Sequence, residues 1–186
     1  MKYVIIVNGK PESGKTTFER YCKYCIESNE YGWTHIVSSI DPIKEIYKKL
    51  GWGGHKGEME RKHLSDLKKI WIESCDGPTQ YLVDYILRLQ DNGDSFVFTD
   101  IREESEIIKM KEVLDVLSIL GIKYKTVLIK RDHVEGIEHG NKSDDDIGQN
   151  KSIYDVIIDN SDGHNLLRSH ADAFIEDLCN ANNWRN

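Results

Sequence analysis

The stretch KYVIIVNGKPESGKTTF, residues 2–18, decides the fold. Val4-Ile5-Ile6-Val7 is an apolar run with no polar alternation. Such a run reads as a strand covered on both faces, the kind found in parallel sheets. It stops at Asn8. From Gly9 to Thr16 the chain fits GxxxxGK[ST] without a gap, a match that chance would supply with a probability of roughly 1% in a chain this long. Residues 15–29 carry a helical pattern, so the glycine loop joins a buried strand to the start of a helix.

The residue types explain what such a loop can hold. Gly9 and Gly14 let the backbone turn its N–H groups inward, towards phosphate oxygens. The N-terminus of the helix that follows adds its positive dipole end. Ser13 lies inside the loop, and Lys15 places a point charge on the β- and γ-phosphates. The Thr16 hydroxyl suits Mg²⁺, and Thr17 suits the α-phosphate. The expected ligand is therefore a nucleoside triphosphate with Mg²⁺, ATP in the first instance. The loop alone leaves the phosphate's destination open.

Working outward, residues 33–38 (WTHIVS), 95–100 (SFVFTD), 124–130 (YKTVLIK) and 154–159 (YDVIID) read as further strands. Helices are expected over 41–50, 58–75, 79–91, 103–120 and 164–181. Asp41-Pro42 reads as an N-cap with proline at N1. Gly121 closes the helix 103–120. The segment 132–152 is polar, carries Gly136, Gly140 and Gly148, and is too long for an ordinary connection. Strands alternating with helices imply an α/β fold with a parallel sheet covered on both sides. The polar insertions 39–75 and 132–152 both follow strand ends, the edge where ligands bind in open α/β sheets.

The third strand ends in Asp100, and Arg102 follows two residues later. An aspartate at the end of a strand beside the loop-bearing strand is where a second Mg²⁺ contact is expected. Its plainer alternative is an N-cap for the helix 103–120. Arg102, just past the strand end, is placed to fork onto a phosphate.

The bulk numbers narrow the classes. The chain has 186 residues, room for one domain of ordinary size. Charged residues make up 31%, hydrophobic residues 39%, and the net charge is −7. That balance argues against nucleic acid as the main partner. The apolar run at 4–7 is far below a membrane span or a signal core, so no membrane role is expected and the expected compartment is cytoplasmic. Cys22, Cys25, Cys75 and Cys179 are scattered as reduced thiols would be.

Four segments resemble P-loop kinases of the nucleoside monophosphate kinase superfamily: GKPESGKTT, Asp41-Pro-Ile-Lys-Glu45, GWGGHKGEMERKHLSDLK at 51–68, and TDIREESEI at 99–107. A fifth likeness is NKSDDDIGQNKSIYDVIIDNSDG at 141–163. The likeness is greatest to phage-type deoxynucleoside monophosphate kinases, with animal-type phosphomevalonate kinase a relative. The resemblance implies a five-stranded parallel sheet in the order 2-3-1-4-5. It implies one P-loop kinase domain over 1–186, with core 1–38, 76–131 and 153–186, an acceptor-binding insertion at 39–75 and a lid at 132–152. Asp41, Lys44, Arg61 and Lys68 would line the acceptor site, and Arg102 would hold the acceptor phosphate. Arg131 would reach across the phosphates when the lid closes, and Asn160 would lie near the adenine.

The resemblance thus implies an ATP- and Mg²⁺-dependent phosphotransferase acting on a small phosphorylated acceptor. That acceptor would be a nucleoside or deoxynucleoside monophosphate, and the chain a monomer or homodimer. Phosphomevalonate as acceptor, or ATP-gated binding without transfer, stay open. The chain departs from the adenylate kinase pattern, because TDIR stands where DGFPR would be. The lid has no second arginine of its own; its cations are Lys142 and Lys151.

Other signals read more plainly. Cys22-Lys-Tyr-Cys25 lacks the second pair a zinc site would want, and its i, i+3 spacing suits one buried helix face. His133 and His139 lie in the lid without a cysteine. Asn141-Lys-Ser-Asp144 matches the guanine-reading NKxD on paper, but sits before the fifth strand instead of directly after the fourth. Trp52 suits either stacking on an acceptor base or filling a helix junction, and Trp33 and Trp71 read as packing residues.

Overall fold

The computed structural model describes residues 1–55, 57–90, 93–131, 147–161 and 164–181. Five strands and six α-helices are seen among them: β1 Lys2–Asn8, α1 Lys15–Ser28, β2 Trp33–Ser38, α2 Asp41–Lys49, α3 Glu58–Cys75, α4 Gly77–Arg88, β3 Ser95–Asp100, α5 Glu104–Leu117, β4 Ile122–Lys130, β5 Val156–Asp159 and α6 His164–Ala181. The sheet order is β2-β3-β1-β4-β5, as expected. β1 is central and pairs in parallel with β3 and β4, with Val7 opposite Asp100 and Asn8 opposite Leu128. β5 pairs in parallel with β4.

The chain divides into two compact units, 1–36 with 90–186, and 37–89. The first contains the sheet core. Val4 to Val7 are fully buried, which is what an unbroken apolar strand at the centre of a parallel sheet requires. On one face Phe96, Phe98, Val127 and Ile129 pack with Phe18, Cys22, Cys25 and Ile26 of α1 and with Leu167, Phe174, Ile175 and Leu178 of α6. The Phe18 and Phe174 rings lie 5.6 Å apart, centre to centre. Cys22 and Cys25 thus share one buried helix face.

The second unit is built from α2, α3 and α4. It runs on through α4 to Leu89. Trp71 packs against Tyr81, which in turn neighbours Tyr85. Gly77 lies directly against this stack: a Cβ there would come within 1.8 Å of the Trp71 indole.

Several expectations need correcting. α2 has Ile40 at its N-cap and begins at Asp41, whose carboxylate accepts from the Ser38 N–H at 2.8 Å instead of capping the helix downstream. Trp33, expected to pack, is 59% exposed, because β2 is an edge strand. Tyr154 and Asp155 are not part of β5. Asp155 still donates its N–H to the Thr126 carbonyl at 3.0 Å, and its side chain adds further bonds there. Asp155 Oδ2 accepts from the Thr126 backbone N–H at 2.8 Å and lies 2.8 Å from the Thr126 hydroxyl. Of the expected lid, residues 132–146 lie outside the described residues, and with them His133, His139, Lys142 and the run 143–146. Residues 147–152 form a turn and the start of a short 3₁₀ segment, Lys151–Ile153. The Gly148 N–H donates to Glu104 Oε1 at 2.9 Å, and Lys111 Nζ donates to the Ile153 carbonyl at 3.0 Å.

Asp155 carries a pH signature. Burial pushes its carboxyl up, but the two Thr126 hydrogen bonds and the Lys125 and Lys111 ammonium groups outweigh this and hold it below the ordinary value. The unfolded chain therefore binds more protons than the folded one near pH 4, and stability rises with pH there. Asp155→Ala should cost about 1–2 kcal/mol at pH 7, a charge-assisted bond discounted for partial exposure. The gap to wild type should close as pH falls from about 5 to 3, read from urea unfolding midpoints across that range.

Candidate functional site

The loop between β1 and α1 has the backbone that its glycines require. Gly9, Glu12 and Gly14 have φ of 154°, 63° and 104°. Space is as tight as the dihedrals: a Cβ at Gly9 would come within 2.5 Å of the Ile129 carbonyl, and one at Gly14 within 2.5 Å of Asn160 Nδ2. α1 has Gly14 at its N-cap and no capping side chain. Its first intrahelical bond runs from Phe18 N–H to the Gly14 carbonyl. The N–H groups of Thr16 and Thr17, in the first turn, have no intrahelical acceptor and suit a ligand.

Two buried asparagines hold this loop. Asn8 accepts the Gly9 N–H on Oδ1 and donates from Nδ2 to the Arg102 carbonyl at 3.1 Å. One side chain thereby joins the loop to the segment after β3, with the Ile101 N–H to Val7 carbonyl bond beside it. From the other side Asn160, 2% exposed and just past β5, donates to the Ser13 carbonyl at 2.8 Å.

A cleft of about 240 Å³ opens on the loop, lined by Glu12, Gly14, Lys15, Thr16, Thr17, Arg131 and Asn160. Six of these seven were picked out by sequence. The Lys15 ammonium donates to the Gly9 carbonyl and, at 3.1 Å, to the Lys10 carbonyl, so it lies over the loop's mouth. Arg131, at the end of β4, directs Nη1 to the Glu12 carbonyl at 3.4 Å. Asn160 meets the loop itself, through Ser13 and Gly14.

Asp100 ends β3 beside β1. The N-cap of α5 is Glu103, so the plainer reading of Asp100 as that helix's cap does not hold. Acting with Asp100 is a residue that the sequence reading passed over. Glu19 lies on the buried face of α1 and is only 4% exposed. Burial first, then the Asp100 carboxylate, push its carboxyl up to about 8, while the Lys15 ammonium acts against them. Helical periodicity was the available signal, because Glu19 falls on the same face as Phe18, Cys22 and Ile26. Asn8 also went unnoticed as a clamp; its signal was a polar residue at the buried end of a strand.

The donor types fit a magnesium nucleotide. The loop is a cradle that any Cβ would fill, and the Ser13 hydroxyl inside it has no hydrogen-bond partner among the described residues. The oxygens of Thr16, Asp100 and Glu19 are hard donors. Among the described residues no group of three or more His, Cys, Asp or Glu could hold an ion. A cation here would depend on phosphate oxygens and water for the rest of its shell, as Mg²⁺ commonly does.

In the second unit, Asp41 accepts from Lys44 Nζ at 2.8 Å. Burial and then the Asp41 carboxylate raise the Tyr81 hydroxyl's pKa. Lys68 is buried at 7% exposure, and Arg61 is half-buried on the first turn of α3. Trp52 stacks on Tyr47 at 5.2 Å and donates Nε1 to the His55 carbonyl at 2.8 Å, so its ring is committed to packing within the unit.

No protein-family model matches the sequence, and no curated protein matches it. Among solved structures, the chain is similar to thymidylate kinase from Ehrlichia chaffeensis, with 14% identity, a TM-score of 0.48, and coverage of 94% of this chain and 98% of that one. It is also similar to the tunicamycin resistance protein of Deinococcus radiodurans, with 13% identity, a TM-score of 0.44, and coverage of 97% and 95%. No helix among the described residues is long and apolar enough to cross a membrane.

The asparagine clamp is open to direct test. Asn160→Ala removes the bond to Ser13 and leaves a buried carbonyl without its donor, at a cost of about 1–3 kcal/mol. Amide hydrogen exchange over residues 10–14 should speed up in the variant, while exchange in β1 and β3 stays as in wild type.

Proposed function

We propose that the protein is an ATP-dependent phosphotransferase that passes the γ-phosphoryl of Mg·ATP to a small phosphorylated acceptor, a nucleoside or deoxynucleoside monophosphate. The observation that carries this reading is the loop 9–17. It is a strained backbone cradle opening α1, with Lys15 over its mouth, Arg131 alongside and Asp100 at the neighbouring strand end. The loop amides and the N-terminus of α1 bind the β- and γ-phosphates. Thr17 serves the α-phosphate, and Asn160 keeps the loop in register near the adenine end. Thr16 and Asp100 would hold the cation, which neutralises charge on the phosphate oxygens when bound. An acceptor phosphate oxygen forms the new P–O bond as the bond to the ADP oxygen breaks. Lys15, Arg131 and Arg102 stabilise the charge on the transferring group. Arg102 fixes the acceptor phosphate.

A second acceptor class is favoured by one observation. Trp52, the residue suited to stacking on a base, is occupied with Tyr47 and His55. A non-nucleotide phosphate such as phosphomevalonate needs no base platform. Coupled ADP release measured across the common nucleoside and deoxynucleoside monophosphates and phosphomevalonate separates the two. ADP formation that ignores every acceptor would leave ATP-gated binding instead.

Two substitutions test the roles. Lys15→Ala should lower kcat by orders of magnitude with the fold intact, because its charge acts most strongly in the transition state. Arg102→Lys should raise the acceptor KM roughly 10- to 150-fold, since an ammonium cannot make the planar fork. ATP affinity, followed by titration, should hardly change; equal weakening of ATP would assign Arg102 to the donor side.

A further inference from the structure

We infer that Glu19 is a positioning residue for the nucleotide's divalent cation, a second carboxylate behind Asp100 that accepts hydrogen bonds from cation-bound water. This rests on the reading of loop 9–17 as an ATP site. Glu19 is 4% exposed, and its Oε1 has no hydrogen-bond partner among the described residues. An acidic side chain so placed is expensive to bury, and a bare apolar residue would pack as well. Its neighbours point to what it serves. It stands one turn after Lys15 and three residues after Thr16 on the inward face of α1. Asp100 shares a sheet face with Phe98 and Phe96, the face on which α1 packs through Phe18 and Cys22. Asp100 and Lys15 are the two charges that act on Glu19.

Mg²⁺ keeps several waters that need oriented acceptors, and a buried acid on the face shared with Asp100 is such an acceptor. A buried acid with a packing role alone gains nothing from an oxygen left without a hydrogen bond.

The test separates cation from nucleotide. Mn²⁺ affinity is read from the free-ion EPR signal in the presence of a non-hydrolysable ATP analogue. Analogue affinity is read separately in EDTA by calorimetry. Glu19→Gln keeps shape and hydrogen bonding, and should weaken Mn²⁺ by 10- to 100-fold, the usual scale for outer-shell groups. Metal-free analogue affinity should stay within about twofold, a split that mere loosening of α1 would not produce. Glu19→Asp, which keeps the charge but draws it back by one methylene, should weaken Mn²⁺ in the same direction, and stands in if the Gln variant does not fold. Unchanged Mn²⁺ affinity, or equal losses with and without metal, overturns the role of Glu19 and leaves the ATP site standing. A wild-type protein that binds no analogue under either condition overturns the ATP site itself.

Discussion

The backbone of residues 9–14 is the constraint on which the site depends. Three of its residues lie at positive φ, and one of them, Glu12, is not glycine. Such a conformation costs energy and persists only where surroundings over-determine it. Here the surroundings are two buried amides. Asn8 fastens the loop's first N–H and the chain after β3 in one step, and Asn160 fastens the Ser13 carbonyl from beyond β5. Each clamp comes from the end of a parallel strand, so the sheet's register sets the loop's shape.

That register also decides where charge collects. The chain is acidic, with a net charge of −7, yet the cleft draws Lys15 and Arg131 together from α1 and β4. Asp100 arrives opposite Val7 because β3 pairs with β1 in parallel. α1 then serves two ends. Phe18, Cys22, Cys25 and Ile26 bury it in the core, which holds its N-terminus rigidly at the loop. Glu19 interrupts that apolar face at the level of Asp100, and a local rule broken at such a place is expected at functional sites.

The second unit follows a different logic. It has no sheet, and its packing depends on aromatic side chains: Trp71 with Tyr81 and Tyr85, and Tyr47 with Trp52 and His63. Gly77 is there because no side chain fits beneath the Trp71 indole. Asp41 is used twice, as acceptor for the Ser38 N–H and as partner for Lys44.

Local pattern was enough to reveal the strands and helices, the phosphate-type loop and most of its cleft. Val4–Val7, the glycines and Lys15-Thr16-Thr17 act through their own backbone and dipole, and those properties travel with the sequence. Pairing order was legible through resemblance only, because hydrophobic runs do not name their neighbours. Boundaries slipped at the start of β5, where side-chain bonds between Asp155 and Thr126 stand beside the backbone pairing. Trp33 was misjudged because exposure depends on which strand lies at the edge. Trp52 was left undecided until its ring was seen against Tyr47. Asn8, Asn160 and Glu19 owe their roles to groups 94, 147 and 81 residues away, Arg102, Ser13 and Asp100. Such contacts exist only once the strands are laid side by side, so composition and periodicity determined the parts, and the parallel register decided which of them meet.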